Sequence, residues 1–371
     1  MARALVRAGH EVAVVTSEYV AETFAGEPMR VHPVFPTMAQ VLRGMRAGLS
    51  EVLTQDLTPY LETVHFVGGP HVTAAFHAIM PVARACAPDL VLRDGADLAG
   101  CLIAEALGVP HLSAPSGATN ILDPEGVLPL VSARRAEVGL PAQDAMAIFR
   151  YGRLDAMPPQ YSCARYEIPL PYAYRQPLWE YDGSMPEIPT DKPLVLATLG
   201  TALPMFAEIR RQGLPDDEHT PRMREPLRAI IEGLSRVDCH AVVATGGTPV
   251  DDVPVGANVH LVDWIPQRRA LQRSHLLVTH CGYNSVREAF SAGVPMVAVP
   301  QFADQAHHAA LIEGFGLGRR AEQTADGVAG ACQRVLADET IRERMRSAHG
   351  ATLALPDEDG IVAQLENLVT P

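Results

Sequence analysis

Asp263–Gln305 reads DWIPQRRALQRSHLLVTHCGYNSVREAFSAGVPMVAVPQFADQ. Within it, His275–Thr279 is an apolar, β-branched run of strand length. His280, Cys281, Gly282 and Tyr283 form a tight connection. Ser285 stands three residues before Glu288, the spacing of a capping box that opens a helix. Gly293 and Pro295 are stop signals, and PMVAVP is a second buried strand. The pattern is strand, loop, helix, strand, with the helix start at the carboxyl end of a parallel sheet, where ligands bind in such folds. Amides at a helix start favour an anion. Gly282 lets a phosphate approach the backbone, and His280, Asn284 and Ser285 add side-chain donors.

The same theme extends in both directions. PLVLATLGT opens a second α/β half, with Gly200 and Thr201 at the carboxyl end of its strand, where an amide or hydroxyl could meet an anionic ligand. HAVVATGG and NVHLVDW read as its next two strands, with a helix over Met223–Leu234. After Gln305 come the helix AHHAALIEGF, helices near 325–337 and 339–349, and a terminal amphipathic stretch, GIVAQLENLV.

In the first half, helical spacing covers 38–62 and 71–86, and MRVHPV is a candidate strand. PDLVLRDGADLAGCLIAEALGVPHLS repeats the strand–loop–helix–strand unit, with Asp97 as cap, Gly108 as stop and Asp94 at the strand's carboxyl end. Residues 114–165 are irregular, and the proline-rich Pro169–Pro193 reads as a linker. The chain opens on a helix, Ala2–Ala8, followed by a buried strand, Val12–Thr16. A helix on a parallel sheet is ordinarily preceded by a strand. The first half is therefore expected to lack its first strand within this chain; the rival reading is a smaller sheet that begins at Val12.

A length of 371 residues suits two domains. The net charge of −13 argues against nucleic acid or an anionic membrane as partner. Arg268, Arg269 and Arg287 near the motif are read as solvated surface. No apolar run approaches membrane-spanning length and no secretory signal is present, so a cytoplasmic location is expected. Six scattered cysteines without a CxxC pair fit a reducing compartment and no zinc site. Asp216 and Asp217 form an acidic pair, more simply read as loop carboxylates than as metal ligands.

Trp264, Gln267, His280, Gly282, Asn284, Ser285, Glu288, Pro300, Asp304 and Gln305 together resemble the donor-sugar box of the family-one glycosyltransferases, in the manner of the bacterial natural-product and macrolide enzymes. The resemblance implies two Rossmann-like domains facing across a cleft, the GT-B arrangement. It places an acceptor-binding domain at 1–178, a linker at 179–192, a donor-binding domain at 193–350 and a tail helix at 351–371 returning to the first domain.

By resemblance, Trp264 stacks on the nucleobase, and Gln267 and Glu288 hold ribose hydroxyls. His280, Gly282, Asn284 and Ser285, with Thr201, take the diphosphate, while Asp304 and Gln305 bind the sugar. The implied reaction is inverting transfer from a UDP- or dTDP-sugar to a hydroxyl of a small hydrophobic natural product, with no metal or other cofactor. Asp94 would orient a catalytic histidine, but the family's GH loop should lie roughly fifteen residues before His10, upstream of Met1. The acceptor pocket would be lined near residues 60–85, with His65, His71 and His77 in reach. Two alternatives stand beside this reading. One is a nucleotide-sugar-binding accessory protein, or an inactive truncated homologue without the base. The other is a nucleotide-sugar epimerase on the same scaffold.

Overall fold

The computed structural model describes residues 1–37, 40, 59–168, 171–177, 186–200 and 224–369. The chain forms two compact units, Met1–Gln176 with Pro356–Pro371, and Pro177–Leu355. It is a mixed α/β protein built on parallel sheets.

In the first unit, β1 (Ala13–Val15) pairs in parallel with β2 (Arg30–His32). A separate parallel sheet contains β3 (Val91–Asp94), β4 (His111–Ala114), β5 (Arg153–Asp155) and β6 (Pro171–Ala173), in that order. No strand among the described residues joins the two sheets. The strand expected to be buried at Val12–Thr16 is instead partly exposed along its length. Among the described residues it pairs only with β2, and neither of its faces is fully covered. Val15 and Val34 still pack on a core made by the helices His71–Cys86 and Leu98–Leu107.

The stretch 114–165 is more regular than its sequence suggests. A helix spans Pro124–Glu137, with the Asp123 carboxylate accepting from the Glu125 amide and Pro124 at its first position. Pro129 inside the helix disguises it. The proline-rich segment is likewise not all linker. Pro171–Ala173 is edge strand β6, where a missing N–H is tolerated, and Tyr174 beyond it is buried.

The helix Glu358–Val369 belongs to this first unit. Ile361 and Leu365 pack with Leu112, Leu154 and Tyr174. The amino group of Met1 pairs with the buried Glu358 carboxylate at 2.7 Å.

The second unit is one six-stranded parallel sheet: β7 (Leu194–Thr198), β8 (His240–Ala244), β9 (Val259–Val262), β10 (Leu276–Thr279), β11 (Met296–Ala298) and β12 (Gly318–Arg320). Its order is β12-β11-β10-β7-β8-β9. Read from the other edge this is the doubly wound 3-2-1-4-5-6 order, which reverses between β7 and β10. Every residue of β7, β10 and β11 is buried, as continuous apolar runs covered on both faces require. No described helix is long and apolar enough to cross a membrane.

Candidate functional site

The crevice at the reversal point is made by the loops that leave β7 and β10 at their carboxyl ends. Thr198 lies beside Thr279 in register, so Gly200 and His280 emerge as neighbours. The His280 ring sits between two glycines. A methyl group on Gly282 would come within 2.3 Å of Nε2, and one on Gly200 within 2.6 Å of Cε1. Gly200 also has φ +80°, a left-handed conformation that disfavours any side chain.

His280 is buried, and its Nδ1 finds no hydrogen-bond partner among the described residues. Burial pushes its pKa down to about 4, opposed by the Thr198 backbone and assisted by the nearby charge of His308. It is therefore a neutral imidazole at pH 7.

The helix after this turn spans Tyr283–Ala292. Gly293 ends it in the left-handed conformation, with its N–H on the Ala289 and Phe290 carbonyls, the stop read from sequence. Its start differs from the expected capping box. Gly282 is the N-cap and no side chain caps the helix. Ser285 lies inside the first turn, one full turn too far along to cap, and its Oγ accepts from Gln267 Nε2 at 3.3 Å. The Tyr283, Asn284 and Ser285 amides begin the helix without intrahelical acceptors, which places donors and positive potential beside His280.

Glu288 is held rather than capping. Its Oε2 accepts from Gln267 Nε2 at 2.8 Å and its Oε1 from Arg268 Nε at 3.0 Å. A carboxylate keeps further acceptor capacity after two such bonds. Arg268 also donates to the Pro177 carbonyl, and Arg287 is buried, so neither is the solvated surface charge expected of it; Arg269 is exposed. Gln267 opens the short helix Gln267–Leu271, which follows Trp264 in the loop after β9. The indole of Trp264 is 54% exposed, a large apolar face open to solvent. Asn284 is also exposed.

Asp304 and Gln305 lie after β11, the other neighbour of β10. Asp304 is the N-cap of the helix Gln305–Gly314, yet its side chain makes no capping bond. The carboxylate is instead 3.2 Å from His308 Nδ1, and burial raises its pKa against the opposing pull of His308. Gln305 is buried, and its Oε1 accepts from the Gln301 and Phe302 amides at 2.8 and 3.2 Å. It closes its own loop. Thr201, Asp216 and Asp217 lie outside the described residues.

In the first unit, Asp94 ends β3 at the carboxyl edge, exposed, with Oδ1 accepting from the Ala96 amide at 2.8 Å. Asp97 caps the next helix through the Ala99 and Gly100 amides, so Asp94 is not its cap. No imidazole among the described residues hydrogen-bonds Asp94. An open cavity of about 610 Å³ is lined by Pro33, Phe35, Pro36, His71, Ala74 and Glu18 among others. His65 and His77 do not line it. Burial, with the Arg134 charge, lowers the His71 pKa to about 4.

Cys101, Glu105 and His111 also come within 4.8 Å of one another. Arg135 occupies both Glu105 oxygens at 2.7 and 2.9 Å, and Arg93 and Arg135 both disfavour the charged form of His111. The Glu105 charge is thus already met by a guanidinium, and a metal ion would add to an excess of positive charge.

Comparison with known proteins bears on both units. Residues 228–368 match the family described as erythromycin biosynthesis protein CIII-like, C-terminal domain. A PGL/p-HBAD biosynthesis glycosyltransferase of Mycobacterium tuberculosis is 27% identical over 54% of this chain and 44% of its own length. The chain thus aligns with about half the length of that relative. The zeaxanthin glucosyltransferase of Pseudescherichia vulneris is 26% identical over 71% of this chain and 69% of its own. Among solved structures, the Streptomyces sp. SF2575 glycosyltransferase SsfS6, complexed with thymidine diphosphate, superposes with a TM-score of 0.69 at 22% identity, covering 99% of this chain and 94% of that one. Residues 228–368 thus carry a domain of the erythromycin biosynthesis protein CIII-like family, and the chain has the GT-B fold of the solved glycosyltransferases.

Proposed function

We propose that this chain transfers a sugar from a nucleotide diphosphate to a hydroxyl of a small hydrophobic natural product, with inversion at the anomeric carbon. The observation that carries this reading is the His280 imidazole, buried and unpartnered at Nδ1 between Gly200 and Gly282, beside an open helix start at the reversal of the sheet. A diphosphate there meets amide donors, the helix dipole and a neutral ring N–H. These groups are in place before the leaving phosphate gains charge, the arrangement that stabilises a transition state most.

Trp264 offers the exposed ring for a nucleobase, and Gln267 with Glu288 a hydrogen-bonded pair for ribose hydroxyls. Asn284 and Ser285 add to the diphosphate contacts, and Asp304 with the Gln305 amide faces the sugar. A thymidine or uridine diphosphate sugar is the proposed donor; a solved neighbour that holds thymidine diphosphate supports the first. The Pro33–Pro36 cavity, largely apolar with Glu18, Thr37, Gln40 and His71 as polar groups, suits the acceptor.

One observation favours a second reading, a nucleotide-sugar binder without transfer. Asp94 has no imidazole to orient among the described residues. Incubating the full chain with a donor panel and an acceptor library, followed by product mass spectrometry, separates the two: a mass gain of one sugar supports transfer, and binding without product supports the second reading. For the donor site itself, Trp264→Ala and His280→Ala each weaken nucleotide diphosphate binding by roughly tenfold, the loss of a stacked ring or one donor to an anion. Unchanged calorimetric affinity in both variants sinks the assignment.

A further inference from the structure

Two loops border the crevice, and each holds a non-glycine residue in the left-handed region: Cys281, φ 62°, and Ala303, φ 52°. Such residues persist only where their surroundings hold them. For Cys281 the holding groups are identifiable. Its N–H donates to Thr279 Oγ1 at 3.1 Å, and its carbonyl lies 2.9 Å from His308 Nδ1.

His308 has no solvent exposure and sits on the first turn of the helix Gln305–Gly314. A carbonyl only accepts, so Nδ1 carries a proton. The same Nδ1 is 3.2 Å from Asp304 Oδ2, a contact that is not a hydrogen bond and leaves that buried oxygen without a partner among the described residues. The Tyr283 ring, centred 6.1 Å away, packs on the imidazole from the opposite helix. One buried N–H therefore stands between the turn that follows β10 and the carboxylate that follows β11.

We propose that His308 is a positioning residue that locks the Cys281 turn to Asp304, so that the chain distinguishes one donor sugar from its epimer. This rests on the donor-site reading above. His308 is out of reach of solvent and contributes through spacing: the diphosphate-facing turn and the sugar-facing carboxylate keep one fixed separation. Without the tie, Asp304 and the strained turn relax independently, and a sugar hydroxyl in the wrong configuration is no longer penalised.

The test is calorimetry on the full chain with thymidine diphosphate, uridine diphosphate, and the glucose and galactose conjugates of each, for the unaltered protein and for His308→Ala, His308→Asn and His308→Gln. Asparagine presents an amide N–H where Nδ1 stands; glutamine carries it one bond farther. The unaltered chain is expected to prefer one epimer by roughly tenfold, the effect of one well-placed hydrogen bond. His308→Asn keeps that preference, whereas His308→Ala and His308→Gln bind the two epimers alike. The bare diphosphate changes by less than about threefold in all of them, since its donors remain. Should His308→Ala not fold, the asparagine and glutamine pair decides.

If the unaltered chain binds neither diphosphate, the donor-site reading fails. If it binds them but treats the epimers alike, if His308→Gln keeps the preference, or if His308→Asn loses it, the role of His308 alone is overturned. A general loss of packing lowers the melting temperature without changing the epimer ratio, so the ratio separates positioning from mere stability.

Discussion

The two units use one kind of local element and finish it differently. In the second, six parallel strands form an unbroken sheet whose central strands are buried throughout. In the first, β1 and β2 stand apart from the four-stranded sheet and remain partly exposed. Two strands alone are marginal. This pair depends on Val15 and Val34 leaning against helices of the neighbouring core. The groups proposed to hold the donor thus follow strands that are buried throughout. The cavity at Pro33–Pro36 follows the partly exposed strand β2.

The largest test of this contrast is a pair of truncations. Leu277→Ala, at the centre of β10, should cost about 2–5 kcal/mol, as buried leucines do. Val14→Ala, half-exposed in β1, should cost less than about 1 kcal/mol. Urea unfolding measures both, and equal costs would erase the distinction between the sheets.

A pair of glycines comes next. Gly200→Ala places a methyl group 2.6 Å from the His280 ring at a left-handed φ, and nucleotide diphosphate affinity should fall tenfold or more, about 1.4 kcal/mol. Gly9 in the first unit also has a positive φ, but nothing lies within 4 Å of the added methyl. Gly9→Ala should therefore cost only backbone strain, about 1 kcal/mol, and leave calorimetric affinity unchanged.

Acid sensitivity is an effect that the two units should share. Burial lowers the pKa of His280 and His71 to about 4 and that of His111 to about 3, from 6.5. Between those values the unfolded chain binds more protons than the folded one. Stability is therefore complete above pH 6.5 and declines as pH falls toward 4 for His71 and His280, and toward 3 for His111. Each group contributes at most about 1.4 kcal/mol per pH unit inside its window. Urea midpoints across that range should slope less in His280→Gln and in His111→Phe; an unchanged slope in both removes these rings as the cause.

What the sequence disclosed follows the same division. LVLAT, HLLVT and PMVAVP were legible because strands buried on both faces are unbroken apolar runs, and the turn between them carries its own residue types. Strand β6 was hidden by its proline, Pro171, which an edge position tolerates. The exposure of β1 was hidden because burial depends on a neighbour that the local pattern does not encode. Ser285 and Glu288 carried a capping-box spacing while serving Gln267 and Arg268 instead. The contact of His308 with Asp304 was available only as an i, i+4 spacing on a helix, and its reach to the Cys281 carbonyl required the fold.

The last helix of the chain completes the core of the first unit. Ile361 and Leu365 pack with Leu112, Leu154 and Tyr174, so this core needs residues from both sides of Pro177–Leu355. Pro177–Leu355 can close on itself, since domains fold as units during synthesis. The first unit is therefore discontinuous in sequence: its core is closed by a helix that lies beyond the whole of the second unit.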